Sequence, residues 1–249
     1  MKVLLAGESW MTHSVHVKGF DSFTTSSYHE GAGPMIQALR DAGHEVGYLA
    51  NHLVPDQFPE TLEALAAYDA LILSDVGANT LLLPDKTFVR SERGSNRLHL
   101  IGEYVNAGGG LLMVGGYLTF QGIEAKGAYY GTAVEAALPV SLLPYDDRVE
   151  APQGVVPDIA APAHPVLEGL GEWPHFLGYN RTTLKPHADL VATINGDPFI
   201  AVSQVGRGRS AIFASDCGPH WGPPEFVAWP HYGRMWSNLV AWLAKREEA

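Results

Sequence analysis

The chain alternates short, wholly apolar runs with stretches whose apolar residues return every three or four positions. Lys2 to Ala6 is apolar up to Gly7, and Tyr68-Asp69-Ala70-Leu71-Ile72-Leu73-Ser74-Asp75 has a continuous apolar centre. Such runs suit parallel strands covered on both faces. Glu45 to Leu49 and Leu111 to Val114 add two more strands. Between them, Pro34 followed by Met35, Ile36, Leu39 and Ala42 and stopped by Gly43 reads as an amphipathic helix. A second helix is expected around Pro59 to Ala67. A third, from Arg97 to Ala107, presents Leu98, Ile101, Tyr104 and Val105 and ends at Gly108-Gly109-Gly110. This alternation predicts an α/β fold, a doubly wound and mostly parallel sheet whose ligands bind beyond the strand C-termini.

Two segments break the pattern. Trp10 to Glu30 has no sustained period and reads as a long polar loop in which His13, His16, Tyr28, His29 and Glu30 sit among Ser and Thr. Residues 131–188 carry Pro139, Pro144, Pro152, Pro157, Pro162 and Pro165 and read as an excursion on the sheet edge. Asp189 to Ile194 and Phe199 to Val205 then form a hairpin closed at Asn195-Gly196-Asp197-Pro198, and Gly206-Arg207-Gly208 turns into Ser210 to Ser215; all three are expected as antiparallel additions. Tyr232 to Lys245, with Met235, Trp236, Leu239, Val240, Trp242 and Leu243, predicts a docked terminal helix. We expect a single domain over residues 1–249.

Charge and cysteine content narrow the function. Sixteen Lys and Arg against 27 Asp and Glu give a net charge of -11, which disfavours nucleic acid as a partner. No apolar run approaches the roughly 18 residues of a membrane span, and Glu8 interrupts the N-terminal run before a secretory signal could form. The single cysteine permits no internal disulfide. A cytoplasmic protein binding a small molecule is expected, with no membrane partner, no cofactor and self-association through the edge excursion.

Three places carry candidate chemistry. In Val114-Gly115-Gly116-Tyr117-Leu118-Thr119-Phe120 a sharp strand-to-helix turn would lift Tyr117 above the sheet in the manner of a nucleophile elbow, with Gly116 beside the ligand. A phenol with a pKa near 10 either roofs a pocket or donates a proton. Ser215-Asp216-Cys217-Gly218-Pro219-His220-Trp221-Gly222-Pro223-Pro224-Glu225 is a loop at a strand end. It supplies an acid in Asp216, a thiol in Cys217, a base in His220, an orienter in Glu225 and a pocket wall in Trp221. Cys217 is either an inert buried thiol or a nucleophile activated by His220. His13, His16, His29 and Glu30 could supply zinc ligands, but they lack the helical His-Glu-x-x-His spacing, and no metal site is assigned. Glu30 could instead favour the following helix N-terminus or contact a ligand. Gly206-Arg207-Gly208-Arg209 lacks the Lys-Ser/Thr ending of a phosphate loop and reads as a tight hairpin.

With these residues in view, the chain resembles the class I glutamine amidotransferase-like superfamily, especially its cytoplasmic branch and the ThuA-like proteins. The resemblance rests on Lys2 to Gly7, Tyr28-His29-Glu30-Gly31-Ala32, Tyr68 to Asp75, Gly115-Gly116-Tyr117, Ala163-His164-Pro165-Val166-Leu167-Glu168-Gly169-Leu170 and Gly206 through Trp221. It implies a flavodoxin-like sheet. In working amidotransferases of this kind the elbow carries a cysteine, and a later His and Glu complete a glutamine-hydrolysing triad. Here Tyr117 stands at the elbow, and His220 and Glu225 would be the later pair, more widely spaced than the usual His-x-Glu. The resemblance therefore implies either an enzyme, hydrolase or amidotransferase-like, acting on a small polar metabolite without the elbow thiol, with Cys217 as its substitute; or a non-catalytic metabolite-binding or oligomeric protein; or a metal-dependent sugar-active protein akin to ThuA relatives.

Overall fold

The computed structural model describes residues 1–245, so the last four positions of the expected 1–249 domain lie outside the described residues. The first half contains β1 (Lys2–Gly7), β2 (Ser9–Lys18), β3 (Asp21–Glu30), α1 (Gly33–Asp41), β4 (Glu45–Leu49), α2 (Val54–Gln57), α3 (Leu62–Leu65), β5 (Ala70–Ser74), α4 (Ala78–Leu82), α5 (Asp85–Phe88), α6 (Arg97–Asn106) and β6 (Gly110–Val114). There follow α7 (Ala133–Ala137), β7 (Val140–Ser141), β8 (Arg148–Val155), β9 (Asp158–Ile159), β10 (Phe176–Asn180), β11 (Thr183–Leu184), β12 (Asp189–Ile194), β13 (Asp197–Val205), β14 (Gly208–Phe213), α8 (Pro224–Val227) and α9 (Tyr232–Leu243).

The principal sheet runs β4-β1-β5-β6-β14-β13-β12-β9. From β4 to β14 neighbouring strands are parallel, and β13, β12 and β9 extend the edge antiparallel. This is the expected mostly parallel α/β sheet with antiparallel additions. One expectation needs correction: the strand after Gly206-Arg207 belongs to the parallel set, because β14 pairs parallel with β6 as well as antiparallel with β13. It therefore ends at the same rim as β1, β5 and β6, the rim where ligands bind in such sheets. The β12–β13 hairpin closes on Asn195 and Gly196, with φ of 50° and 85°, the left-handed pair of a two-residue hairpin turn.

All five residues of β5 and all five of β6 are buried, as continuous apolar runs require. From α9, Met235, Trp236, Leu239, Val240 and Leu243 are buried against β6, β14 and α1. Phe213 at the end of β14 ties the layers together, its ring centroid lying 4.8 Å from Phe199, 4.9 Å from Trp236 and 5.8 Å from both Phe176 and Phe226. Burying such a side chain contributes about 1.5–3 kcal/mol, and this cluster anchors β10 and α8 beside the strand ends.

The largest departure from expectation is the segment from Trp10 to Glu30. It is a two-stranded antiparallel ribbon, β2 paired with β3 over ten consecutive residue pairs from Ser9–Glu30 to Lys18–Asp21. From Met11 to Glu30 every residue is exposed. Neither face is buried within the chain, so no apolar period marks its strands, and the alternating Thr, Val and aromatic residues act through strand preference alone. The turn after β6 differs too: residues 115–122 continue as an irregular loop without the expected helix.

Candidate functional site at the parallel strand tips

The sequence places a carboxylate directly after two adjacent strands, Glu8 after β1 and Asp75 after β5. Gly7, at φ 111°, lets the strands close together, since a Cβ there would lie 1.9 Å from the Ser74 carbonyl oxygen. Glu8 and Asp75 themselves adopt left-handed conformations, at φ 52° and 45°, which cost about 1–3 kcal/mol each and persist only where the surroundings enforce them. The enforcing contacts are clear. The Glu8 N–H donates to Ser74 O at 2.8 Å, and Asn51 Nδ2 donates to Ser9 O at 2.7 Å and Asp75 O at 2.9 Å, lacing the two strand exits together.

Below the rim lies a sealed floor of Glu8, Ser74, Asp216 and Cys217, each no more than 5% exposed. Ser74 Oγ donates to Glu8 Oε2 at 2.5 Å and lies 3.9 Å from Cys217 Sγ. Removing a carboxylate from water favours its protonated form, and neighbouring negative charge adds to the effect. Burial first, and then the Asp75 charge, push the Glu8 carboxyl up to about 7. Burial, with Glu8 and Asp75 secondary, raises Asp216 well above the usual carboxylate range. The Cys217 thiol is likewise pushed well up by burial and then by Glu8 and Asp216. Glu8, Asp216 and Cys217 offer donor atoms all within 4.8 Å of one another, a set of two oxygens and a sulfur that could hold a divalent ion.

Above this floor the rim is aromatic, with His220 exposed, Tyr117 and Trp10 half-buried and Trp221 buried. The ring of His220 stacks on Tyr117 at 5.2 Å, Trp221 meets Tyr117 edge-on at 5.5 Å, and Trp10 lies 6.3 Å from His220 while stacking on His29 at 5.6 Å. Arg148 covers Tyr117, its guanidinium carbon 4.9 Å from the ring centroid. Glu150 bridges the wall, accepting from Tyr117 Oη at 3.2 Å and from Trp221 Nε1 at 3.0 Å. Gly178 makes room for the indole, because a Cβ there would sit 2.2 Å from Trp221 Nε1. Burial and the adjacent Glu150 raise the Tyr117 hydroxyl above its ordinary value, so it is a neutral donor at physiological pH. Burial also raises Asp75, while the nearby His220 pulls in the other direction.

The turn carrying Tyr117 is braced from below. Gly116 N–H donates to Asn180 Oδ1 at 2.9 Å, and Asn180 Nδ2 donates to Asp147 Oδ1 at 2.9 Å. Asp147 in turn accepts from the amides of Gln121 at 2.8 Å and Gly122 at 2.9 Å. The Leu118 amide donates to Asp75 Oδ1 at 2.7 Å. Two of the amides that could stabilise an oxyanion at this turn thus already serve Asn180 and Asp75.

The structure brings Tyr117, His220 and Trp221 together at the rim and draws Asp216 and Cys217 into the floor. Asp216 Oδ1 accepts from the Gly218 amide at 3.3 Å, which makes it the organiser of the loop beneath His220. Gly116 is buried with its amide committed to Asn180. Three expectations are corrected. Glu225 stands exposed in the first turn of α8 and takes no part in the ring contacts of His220, since Pro223 and Pro224 start a new helical turn that carries it off. Glu30 caps no helix: its Oε1 accepts from Tyr28 Oη at 2.7 Å, and α1 begins without a side-chain cap. The His13, His16 and His29 set cannot converge, because side chains alternate across a strand and place His13 opposite in face to His16. These rings bond instead to Ser26, Thr25 and Ser27.

Sequence reasoning passed over Glu8, Ser74, Asp75, Trp10, Arg148, Glu150 and Asn180. For Glu8 and Asp75 a signal existed: each is the first residue beyond a parallel strand, the position where such sheets present ligand groups. The others arrive from distant segments, and nothing local marks them.

This combination of sheet order and strand-tip site places the chain in a known class. It belongs to the family described as "Putative glutamine amidotransferase", whose model matches residues 2–245. The chain is 45% identical to the cytoplasmic protein STM3548 from Salmonella typhimurium, covering 100% of both chains with a TM-score of 0.96. It is 47% identical to the cytoplasmic protein STM1381 from Salmonella typhimurium LT2, covering 98% of this chain and 100% of that one at a TM-score of 0.95. A ThuA-like protein from Parabacteroides merdae shares the fold at 12% identity, covering 100% of this chain and 92% of that one with a TM-score of 0.57. Among curated proteins none matches. Among the described residues no helix is long and apolar enough to cross a membrane.

Proposed function

We propose that this amidotransferase-like chain does not hydrolyse glutamine but takes a small, hydroxyl-rich polar metabolite at the aromatic rim. The single observation that carries this reading is the setting of Cys217, the one thiol in the chain. Reactive thiols need an electropositive, accessible surrounding, whereas Cys217 is 2% exposed between Glu8 and Asp216. With Tyr117 on the turn after β6 and its neighbouring amides engaged, no acyl-enzyme has a place to form. The Tyr117, His220 and Trp10 rings suit the apolar face of a polyhydroxylated molecule.

In this reading His220 is the general acid or base and Asp75, not Glu225, is its charged neighbour. Tyr117 Oη donates a hydrogen bond, and Glu8, its carboxyl pushed up to about 7, gains and loses a proton near neutral pH. The Salmonella relatives are named as cytoplasmic proteins, which supports a cytoplasmic location. The sealed floor also suits a second reading, a binding protein without turnover that uses the same rim.

The test is ammonia release from glutamine together with thermal shift and turnover across a panel of monosaccharides and polyols. Expected are background ammonia and a saturable shift with a panel member that is lost in His220→Ala and weakened in Tyr117→Phe. Turnover of that member separates the enzyme from the binder. Ammonia release abolished by Cys217→Ser would overturn the proposal.

A further inference from the structure

We propose that the β2–β3 ribbon is an exchange arm: its Met11, Val15, Val17 face lies on the body of a second copy of this chain, and the two copies exchange arms reciprocally. Among the described residues the strands of the ribbon pair only with each other, and a lone two-stranded hairpin is marginal in water without a surface to pack on. Yet it holds ten successive pairs with no shift of register.

Its two faces differ in degree. One carries Trp10, Thr12, Ser14, His16 and Lys18 with their partners across the ladder, and its apolar group is partly shared internally: His16 stacks on Phe23, itself 49% exposed, at 4.6 Å, and Lys18 Nζ stands 5.6 Å from the same ring. The other carries Met11, Val15 and Val17, which are 51%, 69% and 70% exposed, interleaved with His13, Ser22, Thr24 and Ser26, with Tyr28 at 41% near its base. Among the described residues nothing covers Val15 or Val17.

Size and charge select the occupant. Ten residues at ~3.4 Å each make a face ~34 Å long and ~10 Å wide, and two such arms seated reciprocally bury about 1,400 Å², inside the ~1,200–2,000 Å² range of stable interfaces. From Ser9 to Glu30 the charged residues are Lys18, Asp21 and Glu30, a net of -1, so -10 of the chain's -11 falls on the remainder. A nearly neutral arm bearing three histidines meets an acidic body with little of the like-charge repulsion that two bodies would experience directly.

The experiment is light scattering and sedimentation of the full chain at ~10 µM, where micromolar or tighter association is visible. Wild type is expected at twice the chain mass of 26.9 kDa or more. The double substitution Val15→Lys and Val17→Lys, at positions already exposed, is expected to weaken association at least ~100-fold and yield a monomer with unchanged circular dichroism. Thr12→Lys, on the opposite face, is expected to leave the assembly intact. A monomeric wild type, an assembled double variant, or a Thr12→Lys variant that dissociates as readily would each overturn the proposal. A monomeric wild type would turn the arm toward a different partner.

Discussion

The floor of the strand-tip site and the β2–β3 ribbon begin within three residues of each other, and they obey opposite rules. Glu8 and Ser9 are 2% and 1% exposed, while from Met11 onward every ribbon residue faces solvent. In the floor, the Glu8 carboxyl has lost its water, takes a hydrogen bond from Ser74 and feels the charges of Asp75 and Asp216, so each charge there alters its neighbours. On the ribbon, Lys18, Asp21 and three histidines cost little because solvent screens them. The comparison teaches that polar residues in this chain are informative in proportion to their burial.

The comparison can be sharpened, starting with the largest effect. Phe213→Ala removes the ring that joins β14 to Phe199, Trp236 and Phe226, and should cost about 3–5 kcal/mol in urea unfolding. A loss below ~1 kcal/mol would mean that this cluster does not hold the strand ends.

Glu8 supplies the next test, through pH. Its carboxyl keeps its proton up to about 7 in the folded chain, against 4.5 for the free group. Between those values the folded state binds more protons than the unfolded one, so stability is highest below the lower value and falls as pH rises through the upper. The loss attributable to Glu8 is ~3 kcal/mol, and Glu8→Gln, which stays neutral, should lose that much less across the same window. Parallel stability–pH curves for the two proteins would remove the proton from Glu8.

Cys217 should react with a thiol-exchange reagent at least ~100-fold more slowly in the native chain than in urea, given its burial and carboxylate neighbours. Comparable rates would open the floor to solvent. The smallest effect belongs to the ribbon: His16→Ala removes an exposed stack on Phe23 and should change stability by less than ~0.5 kcal/mol. A larger loss would make the ribbon part of the folded core.

How much of this was legible in the sequence follows from the same contrast. Leu71 to Leu73 and Leu111 to Val114 announced covered strands because an apolar run of that length has no other stable place. The gathering of Tyr117, His220 and Trp221 at the strand ends was legible because Gly and Pro around them marked strand-end loops. The ribbon was read as a loop since its polar and apolar residues follow no burial period. Glu225 was misplaced because loop spacing carries no direction, and only the start of α8 shows where it points.

The amino-acid order alone determined the parallel strands, the helices between them and the rim at which ligands would gather, because each depends on patterns a few residues long. The tertiary structure decided what stands at that rim. Ser74 meets Glu8 across 66 positions and Cys217 across 143, and the medium around each carboxyl is set by side chains from every strand that ends there. A proton's affinity is a property of that assembled surrounding, which no single segment contains.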